Sequence, residues 1–318
     1  MSQDLHVTKV DRIRNAIARR IATSPAGDPA PVSVRDQQVA ALSRAVRRAT
    51  NGRASDREIA ETWRLVDAQL RVHGGGVPDA HVGAVADAFA GLWQPRSQPA
   101  AEPPAPVRDV IRDQFHRLYY HVSARTWKDT HYRGTLTYKC PTDMWVYQEL
   151  IDDLRPGLVI ETGTFRGGSA AFIADRLELA GHGQVVTIDV DVQPDRPQHP
   201  RLTYLTGSSV DPDILADVTT RVVPGSPVLV ILDSDHSQKH VAAELRAYAP
   251  LVTPGSYLIV EDTNVNGHPA APDHGPGPWE ATQEFLATDP GFVVDERCER
   301  YYLTQNPSGF LRRVEALA

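Results

Sequence analysis

The apolar run VLVILD ends on Asp233, and the run SYLIVED ends on Glu261 and Asp262. Read as neighbouring strands, the two runs lie about 4.8 Å apart, which gathers three carboxylates at one edge. Ionised carboxylates that close repel and raise one another's pKa values. A hard divalent cation removes the repulsion, and oxygen ligands suit Mg²⁺, with Mn²⁺ or Ca²⁺ as alternatives. A cation that keeps open positions chelates two vicinal hydroxyls of a substrate and makes one of them more acidic. Singly, each carboxylate reads as a helix cap or an Arg partner; the meeting of three is what points to a metal. His236 follows Asp233 by three residues, and imidazole is the group that accepts a hydroxyl proton near neutral pH. Asp235 is the alternative base, or an orienting partner.

A second feature is a glycine turn. The run LVIET (158–162) enters Gly163-Thr164-Phe165-Arg166-Gly167-Gly168-Ser169, a pattern E-x-G-x-x-x-G-G in which Glu161 closes the strand. Glycines allow a tight turn and a close approach of backbone to ligand. The spacing is not the G-x-G-x-x-G of dinucleotide folds, which disfavours an NAD reductase. It resembles the first motif of S-adenosylmethionine methyltransferases, where the turn faces the methionine part of the cofactor. Asp189, closing the next apolar run, has the acceptor-only carboxylate that takes two ribose hydroxyls. Ser208, after the third run, borders the adenine side. The expected cofactor set is Glu161, Gly163, Thr164, Gly167, Gly168, Ser169, Asp189, Ser208 and Asp233, the last shared with the metal set.

These residues need a scaffold that brings them to one edge. Short apolar runs at 158–162, 184–189, 202–206, 228–233 and 256–262 alternate with helical patterns at Ser169–Leu179, Pro212–Val222 and Lys239–Pro250. Runs apolar on both faces are central strands of a parallel sheet, and the alternation predicts a Rossmann-like, doubly wound α/β sheet with ligands at the strands' carboxyl ends. Helices are also expected at 107–122 and 141–154. Residues 1–95 read as helical: Val10, Ile13, Ile17 and Ile21 recur at helical spacing, and Ser55 with Glu58 forms a capping-box start. The Pro/Ala-rich stretch Pro95–Pro106 reads as a linker. The expected organisation is an N-terminal helical accessory region and linker over 1–106 and a catalytic domain over 107–318.

Composition narrows the class. The formal charge is 33 − 40 = −7, without a basic run, so nucleic acid is not an expected partner. No apolar run reaches the ~20 residues of a membrane helix, and the N-terminus shows no signal-peptide core. Two cysteines, Cys140 and Cys298, form no disulfide framework. A cytoplasmic protein is expected.

The segments YKCPTDMWVYQELI (138–151), ETGTFRGGSAAF (161–172), ILDSDHS (231–237) and VEDTNVNGHPAAPDHGPGPWEA (260–281) resemble the cephalosporin hydroxylase-type family of methyltransferases, which includes rhamnosyl and macrolide-sugar O-methyltransferases of antibiotic pathways. The resemblance spans roughly 107–318. It implies a metal held by Asp233, Glu261 and Asp262, His236 as base, S-adenosylmethionine as cofactor and a sugar hydroxyl of a glycosylated secondary metabolite as acceptor. A homo-oligomer is expected. The family label also suggests an iron-dependent hydroxylase, but none of the twelve histidines is followed two residues later by Asp or Glu, the pair many such enzymes use. A non-catalytic assembly subunit is the reading from another class, and it predicts loss of ligands or base. The loop Thr263–Pro278, with four Pro and three Gly, is expected to be a lid or substrate wall carrying His268 and His274. Lys139, Tyr147 and Gln148 are placed near the cofactor mouth, though Tyr147 equally reads as packing its helix onto the sheet.

Overall fold

The structure, a computed structural model, describes residues 105–314. The helices expected over residues 1–95, and the Pro/Ala-rich stretch as far as residue 104, lie outside the described residues. The chain divides into two compact units, Met1–Gln114 and Phe115–Ala318, and the second carries the site.

In chain order the elements are α1 (Ala105–His121), the hairpin β1 (His131–Tyr132) and β2 (Thr135–Leu136), α2 (Pro141–Leu154), β3 (Leu158–Thr162), α3 (Gly168–Leu179), β4 (Gln184–Asp189), β5 (Leu202–Thr206), α4 (Pro212–Thr220), β6 (Val228–Leu232), α5 (Gln238–Tyr248), β7 (Tyr257–Val260), α6 (Pro278–Thr288), β8 (Phe292–Val294) and β9 (Phe310–Arg313). β3 to β9 form one sheet in the order β5-β4-β3-β6-β7-β9-β8. It is parallel from β5 to β7, while β9 runs antiparallel to both β7 and β8.

Every residue of β3, β6 and β7 is buried, because helices cover both faces of the sheet. The period-two alternation of a strand sends Ile160, Val230 and Leu258 to one face, against Val218, Leu245 and Tyr248 of α4 and α5. It sends Val159, Leu229 and Ile259 to the other, against Tyr147, Ile151 and Ile173 of α2 and α3. Each such side chain contributes about 1.5–3 kcal/mol on burial. Pro141 and Pro212 open α2 and α4, where a missing N–H costs nothing. Asp211 caps α4 by accepting from the Asp213 N–H at 2.8 Å. The α/β sheet expected from the alternating runs is thus observed. Among the described residues no helix is long and apolar enough to cross a membrane.

The chain leaves β3 toward β4 and β5 on one side and returns to β6 on the other. The carboxyl ends of β3 and β6 therefore flank the switch point, where open α/β sheets form their crevice.

Two differences from the sequence reading bear on the site. β7 stops at Val260, not Asp262, because Asp262 takes a left-handed backbone (φ 53) that turns the chain off the sheet. The β1–β2 hairpin, α6, β8 and β9 were not anticipated; strands of two to four residues are too short to display a period.

Asp143, in the first turn of α2, ties this helix to the segment that supports Asp262. It accepts from the Gln305 N–H at 2.8 Å. Burial pushes its carboxyl up to about 7, against the pull of Thr304, the Gln305 N–H and Lys139. The unfolded value is near 3.9, so folding takes up a proton between these two values, and stability falls as pH rises through that window. Asp143→Asn has no such titration. Urea unfolding from pH 5 to 8 is expected to show the stability difference moving steadily in favour of Asp143→Asn as pH rises. A pH-independent difference would contradict the assignment.

Candidate active site

Gly163, the first residue past β3, has φ 85. A Cβ built there would lie 1.7 Å from the carbonyl oxygen of Asp233, the first residue past β6. Only glycine lets the two strand ends meet so closely. Thr164 then turns inward, its hydroxyl 2.8 Å from that of Thr187. Gly167 and Gly168 serve packing: Cβ atoms there would meet the Tyr204 hydroxyl at 2.8 Å and Thr137 Oγ1 at 2.3 Å.

Above this junction opens a cleft of about 710 Å³, within the range of small-molecule sites. Of the residues expected at the cofactor, Gly163, Thr164, Ser169, Asp189, Ser208 and Asp233 line it. Glu161 lies fully buried beneath the turn. It accepts from Thr187 Oγ1 at 2.6 Å, and its other oxygen has no partner. Burial raises its pKa. Asp189 accepts from the Phe165 N–H at 2.7 Å, the Asp191 N–H at 2.9 Å and Arg196 at 3.2 Å. It therefore fixes its own loop as well as facing the cleft.

The carboxylates meet as the strand ends predict, with an internal cation that the sequence reading placed elsewhere. Lys139 lies buried at the floor and pairs with Asp233 Oδ2 and, at 2.5 Å, with Glu261 Oε1. It is not at the cofactor mouth, and Gln148 is taken up by Arg176. Tyr147, fully buried, accepts from Asn306 Nδ2 at 3.0 Å. Asp233, His236 and Asp262 each present a ligand atom, all within 4.8 Å of one another. His236 Nε2 lies 3.3 Å from both Asp233 Oδ1 and Asp262 Oδ2. Glu261 stands outside that trio, joined to Asp233 through Lys139.

The charge is not balanced by one ammonium. Despite burial, Lys139 and His236 hold Asp233 below its usual range. Burial and the neighbouring Asp233 push Glu261 far up, and burial also raises Asp262. Burial lowers His236, yet Asp262 and Asp233 outweigh it and push the imidazole up to about 9. The donor set is crowded, oxygen-rich and short of positive charge, which fits a hard divalent cation.

Asp235 accepts from the Ser237 N–H at 2.8 Å and so shapes the entry to α5; the carboxylates in contact with His236 are Asp233 and Asp262. The loop after Asp262 is a bonded wall. Asn266 donates to Glu280 at 2.7 Å and accepts from the Gly275 N–H at 3.1 Å. Val265 and His274 line the cleft. His268 stacks on Trp279 at 3.9 Å and meets Glu280 instead.

A family model described as Rhamnosyl O-methyltransferase/CmcI matches residues 124–314, more than half of the chain. The chain belongs to this family. The rhamnosyl O-methyltransferase of Mycobacterium tuberculosis is 38% identical over 213 residues, covering 64% of this chain and 86% of that relative. That of Mycobacterium leprae is 37% identical over 213 residues, covering 64% and 91%. A solved CmcI structure with magnesium and S-adenosylmethionine shares 21% identity at a TM-score of 0.46, covering 75% of this chain and 85% of that one. The methyltransferase class expected from the motifs is thereby established for this Rhamnosyl O-methyltransferase/CmcI family member.

Three features of this family member escaped the sequence reading. The pairing of Lys139 joins residues 94 and 122 positions apart. Asn306 Oδ1 accepts from the Asp262 N–H at 3.1 Å and so holds the left-handed Asp262 in place. His240 lines the cleft, 3.1 Å from Ser209 Oγ.

Gly163→Ala forces apart the two strand ends that carry the site. It is expected to lower the melting temperature by far more than Gly267→Ala, where φ is 90 but nothing lies within 4 Å of the added Cβ. The latter bears only the left-handed penalty of about 1–2 kcal/mol. Thermal unfolding followed by circular dichroism compares them, and equal shifts would show that the junction yields.

Proposed function

We propose that this protein transfers the methyl group of S-adenosylmethionine to a hydroxyl of a small glycoside, with a divalent cation, Mg²⁺ first, at the β6–β7 edge. The observation that carries the reading is the double engagement of Asp233. Its carbonyl lies against Gly163 in the glycine turn, and its carboxylate faces Asp262 and His236. One residue thus couples a cofactor turn to an acceptor edge inside one cleft. The sugar is suggested by the rhamnosyl O-methyltransferases to which the chain is similar.

In this reading the turn from Glu161 to Ser169 receives the methionine end. The unpartnered Glu161 oxygen beneath it suits an ammonium donor. Asp189 and Ser208 take the ribose and adenine side. Asp233 and Asp262 would hold the cation, with Glu261 behind them through Lys139; when bound, the cation would polarise a hydroxyl oxygen and make its proton more acidic. His236 is the proton acceptor at the same edge. Between uncompensated carboxylates it keeps its own proton at neutral pH, and with their charge balanced it is free to take one. Residues 1–106 are proposed as an accessory region, contributing to a homo-oligomer or to the acceptor side, because amphipathic helices need a partner surface.

The iron hydroxylase reading finds less support. Among the described residues the grouped metal-ligand side chains are one His and two carboxylates, the reverse of a 2-His-1-carboxylate triad.

Calorimetry is expected to show S-adenosylhomocysteine binding well ahead of NADH; the opposite order would remove the cofactor assignment. Methyl transfer to a rhamnoside should stop in EDTA and return with Mg²⁺, and Asp262→Asn should abolish that return. Undiminished transfer in chelator would leave the carboxylates a structural role only. His236→Ala should lower kcat by about 10²–10⁴-fold, the usual contribution of a general base, with cofactor affinity unchanged. A wild-type kcat would assign the proton to another group.

A further inference from the structure

Behind the cleft wall lies one buried guanidinium. The Arg196 side chain is 6% exposed, and an arginine is taken so far from water only when it is paired. Its partners come from three segments. Nε donates to the Phe165 carbonyl of the glycine turn at 2.9 Å. One terminal nitrogen donates to the Asp191 carbonyl at 2.9 Å and to Asp189 Oδ2 at 3.2 Å. Phe165, Asp189 and Asp191 all line the cleft. The guanidinium also lies 5.5 Å from the ring centroid of Tyr204 in β5. Tyr204 donates to the Pro197 carbonyl at 2.6 Å, and its hydroxyl is the atom that a Cβ at Gly167 would meet. Arg196 and Tyr204 thus brace the glycine turn against β4 and β5.

The bracing acts on a strained peptide. Phe165 has φ 49, and Tyr138, whose ring stacks on it at 4.6 Å, has φ 52. A bulky residue keeps such a backbone only where its surroundings compel it. At Phe165 they do. Its N–H donates to Asp189 Oδ2 at 2.7 Å, its carbonyl accepts from Arg196, and Arg196 and Asp189 pair with each other. The planar fork of arginine reaches several acceptors at once, which the point charge of a lysine does not.

The same bonds decide what Asp189 has left to offer. A carboxylate has about four acceptor positions, two on each oxygen. The Phe165 N–H and Arg196 take those of Oδ2, and the Asp191 N–H, at 2.9 Å, takes one on Oδ1. One position remains, on Oδ1. A grip on two ribose hydroxyls, as the residue type alone suggests, exceeds what the folded residue has free.

We propose that Arg196 is a positioning residue for the cofactor: it locks the glycine turn to Asp189 and fills one carboxylate oxygen, so that Asp189 binds a single ribose hydroxyl through Oδ1. The assignment rests on the reading of Asp189 as the ribose acceptor.

The test is calorimetry on the full chain with S-adenosylhomocysteine and with its two analogues that lack the 2′ or the 3′ ribose hydroxyl. In the wild type, loss of one hydroxyl should weaken binding about 10–100-fold, the contribution of a hydrogen bond to a charged group. Loss of the other should weaken it by less than about 3-fold. Arg196→Met frees Oδ2 for the second hydroxyl. It should bind S-adenosylhomocysteine about 10-fold more weakly and bring the two analogues to within about 3-fold of each other. Arg196→Lys keeps a charge beside Asp189 but not the fork, and should narrow the asymmetry in the same direction even if Arg196→Met does not fold. A residue that only supported the fold would lower all three affinities together, so an asymmetry unchanged in both variants, or in Arg196→Lys where Arg196→Met does not fold, overturns the role of Arg196. A wild type in which both hydroxyls matter equally and strongly overturns the proposal while leaving Asp189 at the ribose. A wild type that binds S-adenosylhomocysteine but loses little with either analogue removes Asp189 from the ribose, and the proposal with it.

Discussion

A single buried ammonium organises the carboxyl edge of this sheet. Lys139 sits among Asp233, Glu261 and Glu161, all desolvated. Burying one carboxylate without a partner costs several kcal/mol, and burying three close together adds their mutual repulsion. Lys139 makes the arrangement stable and fixes its geometry: Asp233 and Glu261, on neighbouring strands, are drawn to the same nitrogen. It also divides their labour. One oxygen of Asp233 goes to the ammonium while the other faces His236, so the charge not consumed at the floor is presented to the cleft with Asp262.

The sheet itself supplies the remaining precision. Strands in register bring their ends to the same level, and Gly163 sets how near β3 and β6 come. The chemistry of a hydroxyl acceptor needs its donor and its acid–base partners at one height above the sheet, and the switch point delivers that with few loop residues. Where the strands stop, side-chain amides take over: Asn306 holds Asp262 and touches Tyr147, so the polar edge is tied to α2 on the far side of the sheet.

Much of this was legible in the residues. VLVIL and LVIET read as central strands because both their faces are apolar, a pattern that needs no tertiary knowledge. Their terminal acids marked the edge where the carboxylates meet for the same reason, since a charge ending such a run has to lie at its rim. What escaped depends on folding. Nothing local in TYKC shows that its lysine travels to two distant acids, and nothing in Tyr138 or Phe165 announces a left-handed backbone, which bulky residues adopt only when neighbours compel them. The setting of His236 was half visible. Its spacing from Asp233 was plain, but the second carboxylate that raises its proton affinity arrives from another strand. The short strands β8 and β9 carry too few residues to show alternation.

β9 lies between β7 and β8 although it is the last of the described strands. Its partner β7 ends just before Glu261 and Asp262, and the segment leading into β9 carries Asn306. During synthesis, then, β3 to β7 can pair as they emerge, whereas the edge that carries the acids waits for β9 to be threaded beside β7. A nascent chain halted before Phe310 would own every catalytic candidate and yet lack the strand that sets their register. The polar edge is thus completed only when the latest of the described strands has been inserted between two earlier ones.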